Sequence, residues 1–122
     1  MKILLLEPDE YYHHQFRERL GPTHEITVAK SLESAKAHLS LHEPDALIVE
    51  LLLEDGASFP IIRALKHLKS NSSVPVIIFS QIDNLEDIEH AMSLGVSGYF
   101  VKGKDAISDV NRLLLTLNAH HI

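Results

Sequence analysis

Glu50 ends the apolar run Ala46-Leu47-Ile48-Val49 and precedes an acidic turn, Glu54-Asp55-Gly56. A short apolar run bounded by turn signals reads as a strand buried on both faces of a parallel sheet. The Glu50 carboxylate then stands at the strand's C-terminal end, where open α/β sheets gather ligands and chemistry. Three other apolar runs end on polar groups in the same way. Lys2–Leu6 leads into Glu7-Pro8-Asp9, Val74–Phe79 leads into Ser80, and the short run Gly98–Val101, which contains Tyr99, leads into Lys102. Parallel strands would bring these ends together along one edge. The acids Glu7, Asp9 and Glu50 would then face a hydroxyl and a lysine, where they can hold the lysine as an ion pair or attract a divalent cation.

Other chemistries find less support. No glycine-rich phosphate loop follows the first run, and its acids would repel a nucleotide. No nucleophile-elbow motif accompanies the serines and histidines. The nine histidines include the neighbours His13-His14 and His120-His121, and His38 and His42 lie four apart. Two helical histidines without a third ligand are a weak metal signal, and solvated surface histidines are the plain reading.

The elements needed to position these groups follow from periodicity and punctuation. After the first strand, Asp9 caps a helix carrying Tyr12, Phe16 and Leu20, which Gly21-Pro22 ends. Glu25–Ala29 is a second strand, and Ser31 caps a helix bearing Leu32, Ala35 and Leu39. Ser58 is expected to cap a third helix with Ile61, Ile62, Leu65 and Leu68 on one stripe, and Asn71-Ser72-Ser73 forms the next loop. Asp83 or Asn84 caps a fourth helix bearing Leu85, Ile88 and Met92, with Gly95 at its C-cap, and Asp105 caps a fifth with Ile107, Val110, Leu113, Leu114 and Leu117. Five strands alternating with five helices predict a doubly wound α/β domain of three layers, with right-handed crossovers.

The chain of 122 residues, 45% hydrophobic and 23% charged, suits one soluble domain spanning 1–122. No stretch approaches a membrane span, and the formal charge of -6 argues against direct nucleic-acid binding. The absence of cysteine agrees with a cytoplasmic setting.

In order and spacing, these pieces resemble the receiver domain of two-component response regulators, the chemotaxis-regulator type. The segments carrying the resemblance are Lys2 through Asp9, Ala29 through Ala35, Pro44 through Gly56, Val74 through Ser80 and Ala91 through Lys102. It covers essentially the whole chain and implies a flavodoxin-like sheet of order 2-1-3-4-5. It further implies that Glu50 stands at the phosphoacceptor position, Glu7 and Asp9 in the acidic pocket, Ser80 and Tyr99 at the switch positions, and Lys102 at the phosphate-contacting position.

Two departures touch the chemistry. The family's second acidic residue, a magnesium ligand, falls on Pro8, and its phosphoacceptor aspartate falls on Glu50. Glutamate is one methylene longer, and a misplacement of about 1 Å can cost about a hundredfold in rate. The expectation is therefore an atypical pseudo-receiver, not an enzyme, that acts by protein–protein contact and needs no phosphorylation and no cofactor. The alternative is a phosphorylatable receiver in a phosphorelay, using Glu50 or another carboxylate such as Asp55 with Mg2+, to which Glu7, Asp9 and Glu50 would offer a weak site. The proline usual after the lysine is Gly103, which removes a cis-proline turn. The resemblance places the partner-binding face, for a signalling kinase, an output protein or a second copy, on the fourth helix, fifth strand and fifth helix.

Overall fold

The computed structural model describes residues 1–67 and 74–120. The sheet consists of β1 (Lys2–Leu6), β2 (Glu25–Ala29), β3 (Ala46–Val49), β6 (Val76–Ser80) and β7 (Gly98–Val101), in the order β2-β1-β3-β6-β7 and parallel throughout. Between β3 and the helix that follows, a small antiparallel hairpin of β4 (Leu52–Leu53) and β5 (Gly56–Ala57) adds a second sheet. Leaving that hairpin aside, the order is the predicted 2-1-3-4-5. The helices are α1 (Glu10–Leu20), α2 (Leu32–Leu41), α3 (Phe59–His67), α4 (Leu85–Ser93) and α5 (Ile107–His120).

The continuous apolar runs behave as expected for strands covered on both faces, because alternate side chains point to opposite layers. Leu4, Leu6, Leu47, Val49, Val76 and Ile78 pack with Ala35 of α2, Ile61, Ile62 and Leu65 of α3, and Ala91 of α4. Ile3, Leu5, Ala46, Ile48, Ile77 and Phe79 pack with Phe16 and Leu20 of α1 and Val110 and Leu114 of α5. Two cores on either side of one sheet make the three layers.

Helix starts follow the predicted chemistry in part. The side chains of Asp9, Ser31 and Asn84 accept hydrogen bonds from amides in the first turns of α1, α2 and α4. Two expected caps do other work. The Ser58 hydroxyl donates to the Glu50 carbonyl at 3.0 Å, and Asp105 accepts from the Val101 amide at 2.8 Å, which braces the turn after β7. At the start of α5 it is Asp109 that accepts from the Ala106 amide, at 3.0 Å.

The stripe expected on α4 is also rotated. Ala91 is the fully buried residue, whereas Leu85 and Met92 are 68% and 48% exposed. A small residue lets the helix lie close to the sheet and leaves its larger apolar neighbours outside. Gly95 has φ +89° as a left-handed C-cap requires, and Gly103 has φ +85°, a value closed to proline. Leu68, Asn71-Ser72-Ser73 and His121 lie outside the described residues. Among the described residues, no helix is long and apolar enough to cross a membrane.

Candidate functional site

The parallel register places the ends of β1, β3, β6 and β7 side by side. The Glu50 amide donates to Leu6 O at 2.9 Å and the Lys102 amide to Ser80 O at 2.9 Å, so the main chain itself carries the polar residues to one edge. There the Lys102 ammonium donates to Glu7 Oε1 at 2.7 Å and to Glu50 Oε1 at 2.9 Å. Glu7 and Glu50 are 1% and 2% exposed.

Glu50 is the most heavily bonded group of the site. Its Oε1 also accepts from the Gln81 amide at 3.2 Å, while Oε2 accepts from the Leu52 amide at 3.2 Å and from the Ser80 hydroxyl. Ser80 Oγ in turn accepts from the Ile82 amide at 3.1 Å. An ammonium, a hydroxyl and two amides thus converge on one carboxylate, as buried charges require. Among the described residues, no buried side-chain polar atom is left without a partner.

Electrostatics follow the same geometry. Burial pushes the Glu7 carboxyl up, against the hydrogen bond and charge of Lys102. For Lys102, burial works against the charge, but hydrogen bonds to Glu7 and Glu50 and their two charges outweigh it and raise its pKa. Tyr99 is half-buried against the core layer of α2, α3 and α4, and its hydroxyl donates to Ile82 O at 2.6 Å. Burial raises its pKa to about 12.

Glu7, Glu50, Ser80 and Lys102 are therefore brought together, with Tyr99 on β7 bonded through its hydroxyl to the loop after Ser80. Asp9 is not part of the group. Its Oδ1 accepts from the Tyr11 amide at 2.9 Å as the α1 cap, and among the described residues nothing joins it to Lys102. The expected meeting of three carboxylates reduces to two, because a helix start claims the third.

A divalent ion fits this arrangement poorly. Pro8 offers no side-chain ligand, Asp9 is committed to the helix, and Glu7 and Glu50 already share a cation. Among the described residues, no three His, Cys, Asp or Glu side chains gather to hold a metal, and the rings of His38 and His42 stack at 4.8 Å without a third ligand. Asp55 is no free nucleophile either. Its two oxygens accept from the Leu32 and Glu33 amides at 3.0 and 3.1 Å, and the first of these bonds chiefly holds its carboxyl below the usual range.

One residue of the site escaped the sequence reading. The Tyr12 ring lies with its centroid 4.5 Å from Lys102 Nζ. Its position at the head of the stripe Tyr12, Phe16, Leu20 was the available signal, since the head of α1 opens onto the same sheet edge as Glu7.

Comparison with known proteins agrees with this fold. The sequence profile of the response regulator receiver domain matches residues 3–113. The chain is 27% identical over 103 residues to the virulence transcriptional regulatory protein PhoP of Salmonella typhimurium, covering 84% of this chain and 45% of that protein. It is 26% identical over 102 residues to the sensory transduction protein BceR of Bacillus subtilis, covering 83% and 43%. The chain thus spans less than half the length of these curated relatives. Among solved structures, a two-component response regulator from Clostridium difficile superposes with a TM-score of 0.82 at 20% identity, covering 97% of this chain and 98% of that one. The BeF3-activated receiver domain of Klebsiella pneumoniae RstA superposes with a TM-score of 0.81 at 19% identity, covering 96% and 98%. The chain belongs to the response regulator receiver domain family.

Proposed function

We propose that this chain, as one domain over 1–122, is a pseudo-receiver that signals by protein–protein contact and is not switched by phosphorylation. The observation that carries the reading is the Glu50 carboxylate, which accepts from Lys102 and the Ser80 hydroxyl at once. Those are the groups the family uses to contact a phosphoryl group and to switch. In this reading the longer side chain of Glu50 supplies the negative charge permanently. Tyr99, packed inward with its hydroxyl on Ile82 O, is then held in a single position. Pro8 and the commitment of Asp9 to α1 support the same view, since in-line phosphoryl transfer to a receiver needs a bound divalent ion.

The output surface in this proposal is α4, β7 and α5, where Leu85, Met92 and Leu115 are exposed. Exposed apolar groups on these elements, with Tyr11, Leu41 and Leu52 exposed elsewhere, suit a protein partner, whether a kinase, an output protein or a second copy. Some relatives carry transcriptional-regulator names, so an output partner in gene regulation is part of the proposal.

The test is incubation with acetyl phosphate and Mg2+ followed by intact-mass measurement. No acid-labile adduct is expected; a stoichiometric adduct on any carboxylate would overturn the reading and restore the phosphorelay alternative. Glu50→Gln checks the permanent charge separately. It should shift the NMR signals of Ser80 and Tyr99, and unchanged signals would reduce Glu50 to a structural ion pair.

A further inference from the structure

Lys102 is enclosed by more than its two carboxylates. Its side chain is only 11% exposed, although it follows the last strand at the open edge of the sheet. Tyr12 adds to this cover, its ring centroid 4.5 Å from the ammonium. Phe16 and Leu20, on the same stripe of α1, are fully buried in the core, whereas Tyr12 is half-buried and reaches past the core to the ammonium. The face of an aromatic ring attracts a cation, and more so where water is excluded.

The ring is held by aromatic neighbours. It meets Phe79 edge-on at 5.4 Å and Tyr11 at 5.1 Å. The turn that carries it is tied to Glu7 twice and is capped by Asp9. The Asp9 amide donates to Glu7 Oε2 at 3.0 Å, His13 Nε2 donates to Glu7 O at 2.5 Å, and the Asp9 carboxylate caps the helix at Tyr11. Glu7 and Tyr12, two walls around the lysine, therefore belong to one braced unit.

We propose that Tyr12 is a positioning residue for this site, its ring face holding the Lys102 ammonium in the fork between Glu7 and Glu50 and barring small solutes from it. The ring carries this role, and the hydroxyl does not. The inference concerns access to Lys102 and stands whether or not Glu50 accepts a phosphoryl group.

Acylation of the full chain with an acetyl N-hydroxysuccinimide ester, followed site by site by mass spectrometry, tests it. In the wild type, Lys102 should react roughly tenfold more slowly than the exposed Lys30 and Lys104. Tyr12→Ala should raise the Lys102 rate several-fold while leaving the protection that its two carboxylates give, and Tyr12→Phe should keep the wild-type rate. Half-buried Lys66, which donates to Val74 O at 3.0 Å, reports on general loosening and should keep its wild-type rate. Tyr12→Leu, which retains apolar bulk against Phe79 but no ring face, should also expose Lys102 and serves if the alanine variant fails to fold. Unchanged Lys102 protection in a folded Tyr12→Ala or Tyr12→Leu variant would overturn the proposal. So would equal loss of protection in Tyr12→Phe, or equal acceleration at Lys66.

Discussion

Lys102 sets one positive charge against the carboxylates of Glu7 and Glu50, and all three side chains are nearly closed to water. Removing one member of a buried ionic group leaves the others uncompensated, so Lys102→Met should lower stability by about 3 kcal/mol, read from urea unfolding. The pH dependence has a definite sign. The folded pKa of Lys102 lies above its ordinary 10.5, so its contribution is full below that pH and is lost as pH rises through the folded value. The gap between wild type and Lys102→Met should hold from neutral pH to about pH 10 and close in more alkaline solution. Glu7 is also raised, from 4.5, so its contribution is present below that pH and lost as pH rises; it does not promote acid unfolding. Tyr99 adds a second alkaline effect. With its pKa raised from 10.0 to about 12, stability should fall across that interval, and Tyr99→Phe should show a shallower fall there, followed by tyrosinate absorbance and circular dichroism.

At the level of elements, small polar contacts decide where helices begin and how loops face the site. Asn84 accepts from the Asp87 amide at 2.9 Å and donates to its carboxylate at 2.7 Å. Asn84→Ala should cost about 1 kcal/mol in urea or thermal unfolding and fray the first turn of α4, measured by amide exchange. Other contacts of this kind were not legible. Asp55 bridges from the β4–β5 turn to the start of α2, and Ser58 turns back to the Glu50 carbonyl. Both depend on partners outside their own element, more than twenty residues away for Asp55 and eight for Ser58, which no local pattern encodes. The phase of α4 was misleading for a related reason: helical spacing marks the large apolar residues, but the sheet accepts the small Ala91.

Across the whole molecule, stability rests on two apolar layers divided by the sheet. Ile48 lies in the layer of α1 and α5, and Ile62 in that of α2, α3 and α4, each almost fully buried. Ile48→Ala and Ile62→Ala should each destabilise by about 3 kcal/mol. With the sheet between them, their effects should add in the double variant within about 0.5 kcal/mol, measured by urea unfolding; a larger coupling would mean that the two layers do not act independently.

The order of elements, the parallel sheet and the meeting of Glu50, Ser80 and Lys102 could be read from the chain alone. Apolar runs of strand length fix which segments are buried, and parallel topology then sends their polar ends to a common edge. Only the tertiary structure decided how each polar group is used there. Asp9 is as acidic as Glu7, yet the α1 amides claim one and Lys102 the other. Tyr12 reads as a core residue by its spacing, yet its ring closes over the ammonium. Such assignments depend on distances of a few ångströms between separate elements, and those distances exist only once the layers have packed.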